Sequence, residues 1–194
     1  MVHLTKNQEV VPTKREQQII AGTILGGSSI VLSPKGKHCY LSMRGKDGKW
    51  LEFKAFELNR FSSFAPFTKE ATNRWHSLCY PIFDDYRNIF YRDNKRVLDL
   101  NALESLWSTG LAIWFGDAGK FKNGKVIMNT HIWGERGSEI IAEYFRLCMW
   151  QAKVTKDRNY FRVHINREDS VSFMKTVMPE LRGFVGQINS YIPK

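Results

Sequence analysis

A chain of 194 residues carries 29 Lys+Arg against 19 Asp+Glu, a formal charge of +10, and a pI near 9.6. That length suits one compact domain or two small, intimately packed ones. Its 43% hydrophobic and 13% aromatic residues can fill a sizeable core and exclude wholesale disorder, and no apolar run is long enough for a membrane-spanning helix.

Residues 1–13 read as an N-terminal arm without the apolar stretch of a secretory signal. Thr13 and Glu16 form a T-x-x-E capping box, which predicts a helix through QQIIAGTIL that Gly26 and Gly27 stop. SIVLS and HCYLSMR follow as strands around the turn Pro34–Lys37. Residues 50–63 have the spacing of a helix with Leu51, Phe53, Phe56, Leu58 and Phe61 inward. A strand region over Arg74–Tyr80 and a helical turn over Asp84–Phe90 close the first half. The second half begins at Asn101-x-x-Glu104, which predicts a helix start leading into the apolar run LAIWFGDAG. A strand pair turns at Asn123-Gly124, and VIMNTHIW continues the second strand outward. A helix over 138–152, a strand pair turning at Asp157-Arg158 and a helix over Asp169–Leu181 complete the order.

The two halves, 14–97 and 98–194, repeat one pattern of elements at an offset of about ninety residues, an internal duplication. Both are basic, with 16 Lys+Arg against 10 Asp+Glu in residues 1–100 and 13 against 9 thereafter. Small residues four apart, Gly22 and Gly26 in one apolar helix and Ala112 and Gly116 in the other, predict a close helix–helix seam.

Period-two alternation assigns sheet faces. His38, Tyr40, Ser42 and Arg44 share one face, and Arg74 and His76, in the later strand region, are further candidate nucleic-acid contacts. Lys125, Asn129 and His131 share a second, and Arg162, His164 and Asn166 a third. Faces of Arg, Lys, His, amide and hydroxyl suit base edges and phosphates. Lysines and an arginine near turns, namely Lys35, Lys37, Lys46, Lys49, Lys120, Lys122, Lys153, Lys156 and Arg158, suit phosphates. The histidines have no partners at metal spacing, so zinc is not expected. Cys39, Cys79 and Cys148 are an odd set with no CxxC pair, which argues for a reducing compartment.

IIAGTILGG and LAIWFGDAG, each ending a helix that leads into strands, resemble the paired motifs of the LAGLIDADG homing endonucleases. The likeness runs through NIFYRDNKRVLDLNALESLWSTG and covers roughly residues 14–182. It implies an α+β fold, a duplicated αββαββα pseudo-dimer whose two antiparallel sheets form a DNA-binding saddle. It also implies a monomer on double-stranded DNA, in an organelle (mitochondrion or chloroplast) or a prokaryotic cytoplasm. In such proteins one acidic residue at the foot of each motif helix holds Mg²⁺ against the scissile phosphates. Here the first acid position is Gly27. Aligned on the Trp114-Phe115 pair, the second is Ala118, with Asp117 one residue early. A rival register that matches Ala112 and Gly116 to Gly22 and Gly26 makes Asp117 the equivalent of Gly27. The resemblance also implies a basic side chain near each site: Arg96 in the first half, with Gln187 where a Lys is expected in the second.

Three readings follow. The first is a sequence-specific DNA-binding protein whose double-strand cleavage is lost or impaired, with weak or absent Mg²⁺ binding. The second is a maturase that assists splicing of a group I intron RNA. The third is an active nuclease using Asp117 as its remaining metal ligand.

Overall fold

The computed structural model describes residues 10–34, 37–45, 47–62, 73–158 and 160–182. Its first helix, α1 (Lys14–Leu25), opens with the expected capping box: the Thr13 hydroxyl accepts the Glu16 N–H, and the Glu16 carboxylate accepts the Thr13 N–H at 2.6 Å. The helix ends in a Schellman motif. The Gly27 N–H donates to the Ile24 carbonyl and the Ser28 N–H to that of Thr23, with Gly27 at φ 121°.

β1 (Ser29–Leu32), β2 (Cys39–Gly45) and β3 (Asn73–His76) form an antiparallel sheet in that order. In register Ser42 faces both Ser29 and His76, and Arg44 faces Arg74. The apolar side of these strands, Ile30, Leu41, Met43 and Trp75, is buried. The strand region expected over Arg74–Tyr80 is met by β3, which ends at His76, and residues 63–72 lie outside the described residues. α2 (Gly48–Glu57), followed by a 3-10 turn at Asn59–Phe61, matches the expected helix, with Leu51, Leu58 and Phe61 buried and Phe53 packed against the core as expected. Lys54 is buried, whereas Phe56 is 72% exposed. The helix turns Lys54 inward because an acid awaits it there.

α3 (Pro81–Phe90) starts earlier than expected, with Pro at its first position, where a missing N–H costs nothing. It runs into a hairpin without a period-two signature, β4 (Tyr91–Arg92) and β5 (Lys95–Arg96), turning through Asp93 and Asn94 at φ 49° and 61°. The hairpin covers the edge of β1. The Tyr91 hydroxyl accepts the Ile30 N–H, and Arg87 donates to the Ile30 carbonyl.

The expected helix start at Asn101 is a single turn, α4 (Asn101–Glu104). The motif helix begins afresh as α5 (Ser108–Ala118). Buried Gln18 of α1 explains the break. Its amide nitrogen donates to the Ser105 carbonyl and its oxygen accepts the Trp107 N–H, satisfying the interrupted backbone. β6 (Gly119–Lys122), β7 (Lys125–Asn129), β8 (Ala152–Asp157) and β9 (Tyr160–Ile165) form the second antiparallel sheet, ordered β6-β7-β9-β8. The Asn123-Gly124 turn forms as expected, with φ 54° and 73°. The strand predicted through His131 stops at Asn129, and His131–Trp133 is a 3-10 turn. α6 (Gly134–Leu147) lies four residues ahead of its expected start, and α7 (Arg167–Arg182) extends its prediction at both ends. α5, apolar all round, is sandwiched: α1 packs on one side, and on the other Phe115 meets Phe173 of α7 while Trp114 stacks on Phe145 of α6. Among the described residues, no helix is long and apolar enough to cross a membrane.

Candidate nucleic-acid interface and motif-helix ends

Strand register settles which polar side chains share a face. In the first sheet Tyr40, Arg44, Arg74 and His76 lie together opposite the apolar core, with Ser42 between Ser29 and His76 and largely covered. Burial, then the charges of Arg44 and Arg74, lowers the pKa of His76. In the second sheet one row runs Lys120, Ile127, His164, Lys153 across four strands, and the next carries Asn129, Arg162 and Thr155. Lys122 and Lys125 pair beside the turn. His164 sits amid this charge. Burial, then Arg162, Lys125, Lys153 and Lys120, pushes its pKa down. Four cations focused on one imidazole mark a strongly positive surface. The face holds one acid, Asp157, at 3.6 Å from Arg162. Two ring pairs stand on these faces: Tyr40 with His76, and His131 with exposed Tyr160.

Four expected contact residues are placed elsewhere. His38 turns to α3, its Nδ1 2.7 Å from Asp84. Burial raises the Asp84 carboxyl, but His38 and the Cys39 N–H outweigh it and hold the group below its ordinary pKa. Asn166 follows the end of β9 and caps α7, accepting the Asp169 N–H. Lys156 pairs with Phe161 on the opposite side of the sheet, its ammonium 5.2 Å from that ring. Lys49 lies in the first turn of α2. Lys37 and Arg158 are exposed near turns as expected. Lys35, Lys46 and Gln187 lie outside the described residues.

The seam forms, but not from the four small residues expected. A Cβ on Gly22 would stand 2.4 Å from the Gly110 carbonyl oxygen and 2.9 Å from Ile113 Cβ; one on Gly26 would stand 2.3 Å from Asp117 Cβ. Gly22 and Gly26 are therefore seam residues, facing Gly110, Ile113 and Asp117. Gly116 faces away: a Cβ there would stand 2.4 Å from the indole of Trp50. Ala112 is fully buried. Gly110 lay in the sequence without a small partner four residues on, which is why the spacing pattern missed it.

Asp117 is fully engaged. The Lys54 ammonium is 2.7 Å from both of its oxygens, and the Trp50 indole N–H donates to Oδ1 at 2.6 Å. Lys54 is 2% exposed and Asp117 12%. Sequence gave no pointer to Lys54, which is 63 residues away. At the adjoining ends of the helices, Gly27 has open space where a side chain would project. Buried Ala118 offers its carbonyl to the Asn129 amide. Arg96 lies over the end of α1. One Nη approaches the Ile24 carbonyl at 3.4 Å, and the other the carbonyls of Gly27 and Ser28 at 3.2 and 2.6 Å and the Ser29 hydroxyl at 3.1 Å. Tyr91 and Trp133 hold its guanidinium at 5.4 Å each, and the Trp133 indole caps the Leu25 carbonyl. Hard divalent cations need several oxygen ligands, carboxylates above all. Among the described residues no three His, Cys, Asp or Glu come together in such a group, and Asp117 is paired with Lys54. This donor set does not fit Mg²⁺.

A model of the LAGLIDADG DNA endonuclease family matches residues 17–173. The homing endonuclease I-WcaI, solved bound to its DNA recognition sequence, superposes with a TM-score of 0.83 at 17% identity, over 100% of this chain and 96% of that one. I-DmoI, solved in complex with DNA and Mn, superposes at 0.58 with 11% identity over 85% and 97%. DUF199/WhiA from Thermatoga maritima does so at 0.54 with 14% identity over 95% and 64%. At these identities the likeness shows the fold. No curated protein matches the chain in sequence.

Proposed function

The chain belongs to the LAGLIDADG DNA endonuclease family, and from that premise we propose that it binds a long duplex DNA site as a single chain and leaves both strands intact. One observation carries the reading: two basic sheets spring from the C-terminal ends of the motif helices, and the acid in the last turn of α5, Asp117, is tied to Lys54. The faces supply what duplex recognition needs. Lys120, Lys122, Lys125 and Lys153 suit phosphates; Arg44, Arg162 and Asn129 suit base edges in the major groove. I-WcaI, of the same fold, is bound to a DNA recognition sequence.

Loss of cleavage rests on the register of the two motifs. The seam sets Gly26 against Asp117, which supports Ala118 as the counterpart of Gly27 and leaves neither position with a carboxylate. Paired metal ions stabilise the attacking and leaving oxygens of phosphodiester hydrolysis. Without ligands for them that stabilisation is missing. The third reading, with Asp117 as metal ligand, conflicts with the ion pair that occupies both carboxylate oxygens.

A second reading, group I intron RNA as partner, is favoured by the two ring pairs, Tyr40–His76 and His131–Tyr160. Exposed rings stack unpaired bases, the usual way RNA is read. One experiment separates the two. The protein is presented with a random duplex library and with the two forms of its own coding locus, intron RNA and intron-less duplex. Recovery of one long duplex site, uncut after incubation with Mg²⁺, is the expected result. Preference for the intron RNA selects the second reading, and Mg²⁺-dependent cutting of the recovered site overturns the loss of cleavage.

A further inference from the structure

We propose that the cavity between α1, α3 and α4 is the docking site of this chain's own residues 183–194, which follow α7 and lie outside the described residues. The proposal is independent of duplex binding. The cavity holds about 370 Å³, in the size range of built binding sites. Its apolar walls are Ala21 of α1, Ile82, Ile89 and Phe90 of α3, Ala102 of α4 and Trp107 just ahead of α5, so it spans the junction of the two halves. Trp107 is 55% exposed and Ile89 40%, an apolar opening that marks an interaction site. The polar groups beside it are already paired. Gln18 bonds the backbone of Ser105 and Trp107, Gln17 the Pro12 carbonyl, and the Tyr86 hydroxyl the Gln17 carbonyl at 3.3 Å. What the site offers an occupant is therefore chiefly apolar contact.

Position and composition name the occupant. α7 runs back along α5, with Phe173 against Phe115 and Glu180 at the Ser108 hydroxyl, 3.2 Å away. Glu180 also lies 3.5 Å from Arg15. The residues just before Ser108 and Arg15 are Trp107 and Lys14, which line the cavity, the Lys14 ammonium 5.5 Å from the indole. α7 ends at Arg182, two residues past that contact, so the chain leaves it beside the cavity. Residues 183–194 read GFVGQINSYIPK. Phe184, Ile188, Tyr191 and Ile192 recur at the spacing of one helical face. Lys194 is the only charged side chain, so the segment can enter an apolar cavity without stripping water from a charge. Even as a helix it spans ~18 Å, ample for a cavity of this volume. Its tether holds it at an effective concentration of about millimolar, which favours it over a second copy in dilute solution. Docked there, it joins the second half to α3, whose Asp84 and Arg87 hold β2 and β1.

The test replaces Tyr191 by the photoreactive p-benzoylphenylalanine in the full chain and maps its crosslinks by mass spectrometry. Crosslinks within one chain to residues 82–90 and 102–107 are expected, and their loss when Ile89→Asp is added. Amide hydrogen exchange checks the same contact with native Tyr191. In the full chain carrying Ile188→Asp and Ile192→Asp, exchange over 82–90 and 102–107 should quicken about tenfold relative to wild type. Crosslinks between chains would give the cavity to a second copy, and crosslinks to β6 and β7 would carry Gln187 to the Ala118 end of α5. Either result overturns the proposal, as does the absence of crosslinks or an unchanged exchange rate. The crosslink map and the exchange comparison stand even where Ile89→Asp does not fold.

Discussion

Replacing Lys54 by methionine tests whether Asp117 is a structural strut or an available ligand. The change keeps the length of the buried stem and removes only the ammonium, which touches both Asp117 oxygens at 2.7 Å. Asp117 is then left 12% exposed with the Trp50 indole as its remaining partner. Breaking a buried ion pair from one side costs about 3–5 kcal/mol, because the surviving charge is stranded. For a chain of this size each kcal/mol moves Tm by roughly 2–4 °C, so the midpoint should fall by about 6–20 °C. Asp117→Asn added to Lys54→Met removes the stranded charge while keeping an oxygen for Trp50. The double variant should recover most of the loss, with a coupling energy of about 2–3 kcal/mol. Thermal and urea denaturation of the four proteins closes the cycle. A Lys54→Met midpoint within 2 °C of wild type, or strictly additive losses, would refute the claim that this carboxylate is held in the fold.

Four further outcomes are expected. Gly22→Ala pushes a methyl against the Gly110 carbonyl at 2.4 Å; overpacking of this kind costs about 1–3 kcal/mol or more, and binding should weaken with stability, read by calorimetry beside filter binding. Duplex affinity should fall with salt at a slope of about −7 if ~8 phosphates are neutralised, with Arg44→Ala and Arg162→Ala relaxing base preference in a selection assay and Lys122→Ala weakening all sequences alike. His76 and His164 have lowered pKa values among cations, so an approaching phosphate raises them and binding takes up protons: affinity should rise as pH drops from 8 to 6, by at most about tenfold per histidine for each pKa unit regained, while the free protein, favouring neutral imidazoles, loses stability as pH falls below about 6.5. Gly27→Asp with Ala118→Asp should yield Mg²⁺-dependent cutting of the bound site, and Gly27→Asp alone nicking or nothing on a sequencing gel; double-strand cutting by the single variant would return Asp117 to the site.

Local chemistry was legible and long-range partnership was not. Thr13 with Glu16, and Asn123 with Gly124, act within four residues, so their patterns carried straight into a cap and a turn. Strand alternation likewise placed Arg44, Asn129, Arg162 and His164 on polar faces, since a one-residue slip would bury charge. What the pattern misassigned was decided by residues far along the chain. His38 answers to Asp84, 46 positions on, and Asp117 draws Lys54 into the buried face of α2, while Phe56 alone of the expected inward residues stays outside. Asn166 lies one residue and His131 two residues past strand ends that cap and turn chemistry set. The motif helix was read as starting at Asn101 because Gln18, the residue that supports the break at Ser105–Trp107, belongs to the other half.

Gly27 is where fold and chemistry compete. A C-terminal Schellman motif asks for a residue in left-handed backbone, and Gly27 supplies it at φ 121° while its N–H and that of Ser28 satisfy carbonyls of α1. An L-residue in left-handed backbone costs about 1–2 kcal/mol, so an aspartate there must either bear that strain or unwind the cap. Unwinding moves the Gly27 and Ser28 carbonyls that Arg96 now holds. The end of α1 thus has two exclusive arrangements: a glycine cap whose carbonyls Arg96 holds, and a strained or unwound end that carries an aspartate. Substituting the acid alone mixes them, which is why cutting by Gly27→Asp with Ala118→Asp should be slow while Arg96 remains and faster once Arg96→Lys loosens its grip on the carbonyls. If cutting by the triple variant is no faster than by the double, the two states are independent and the competition at Gly27 is absent.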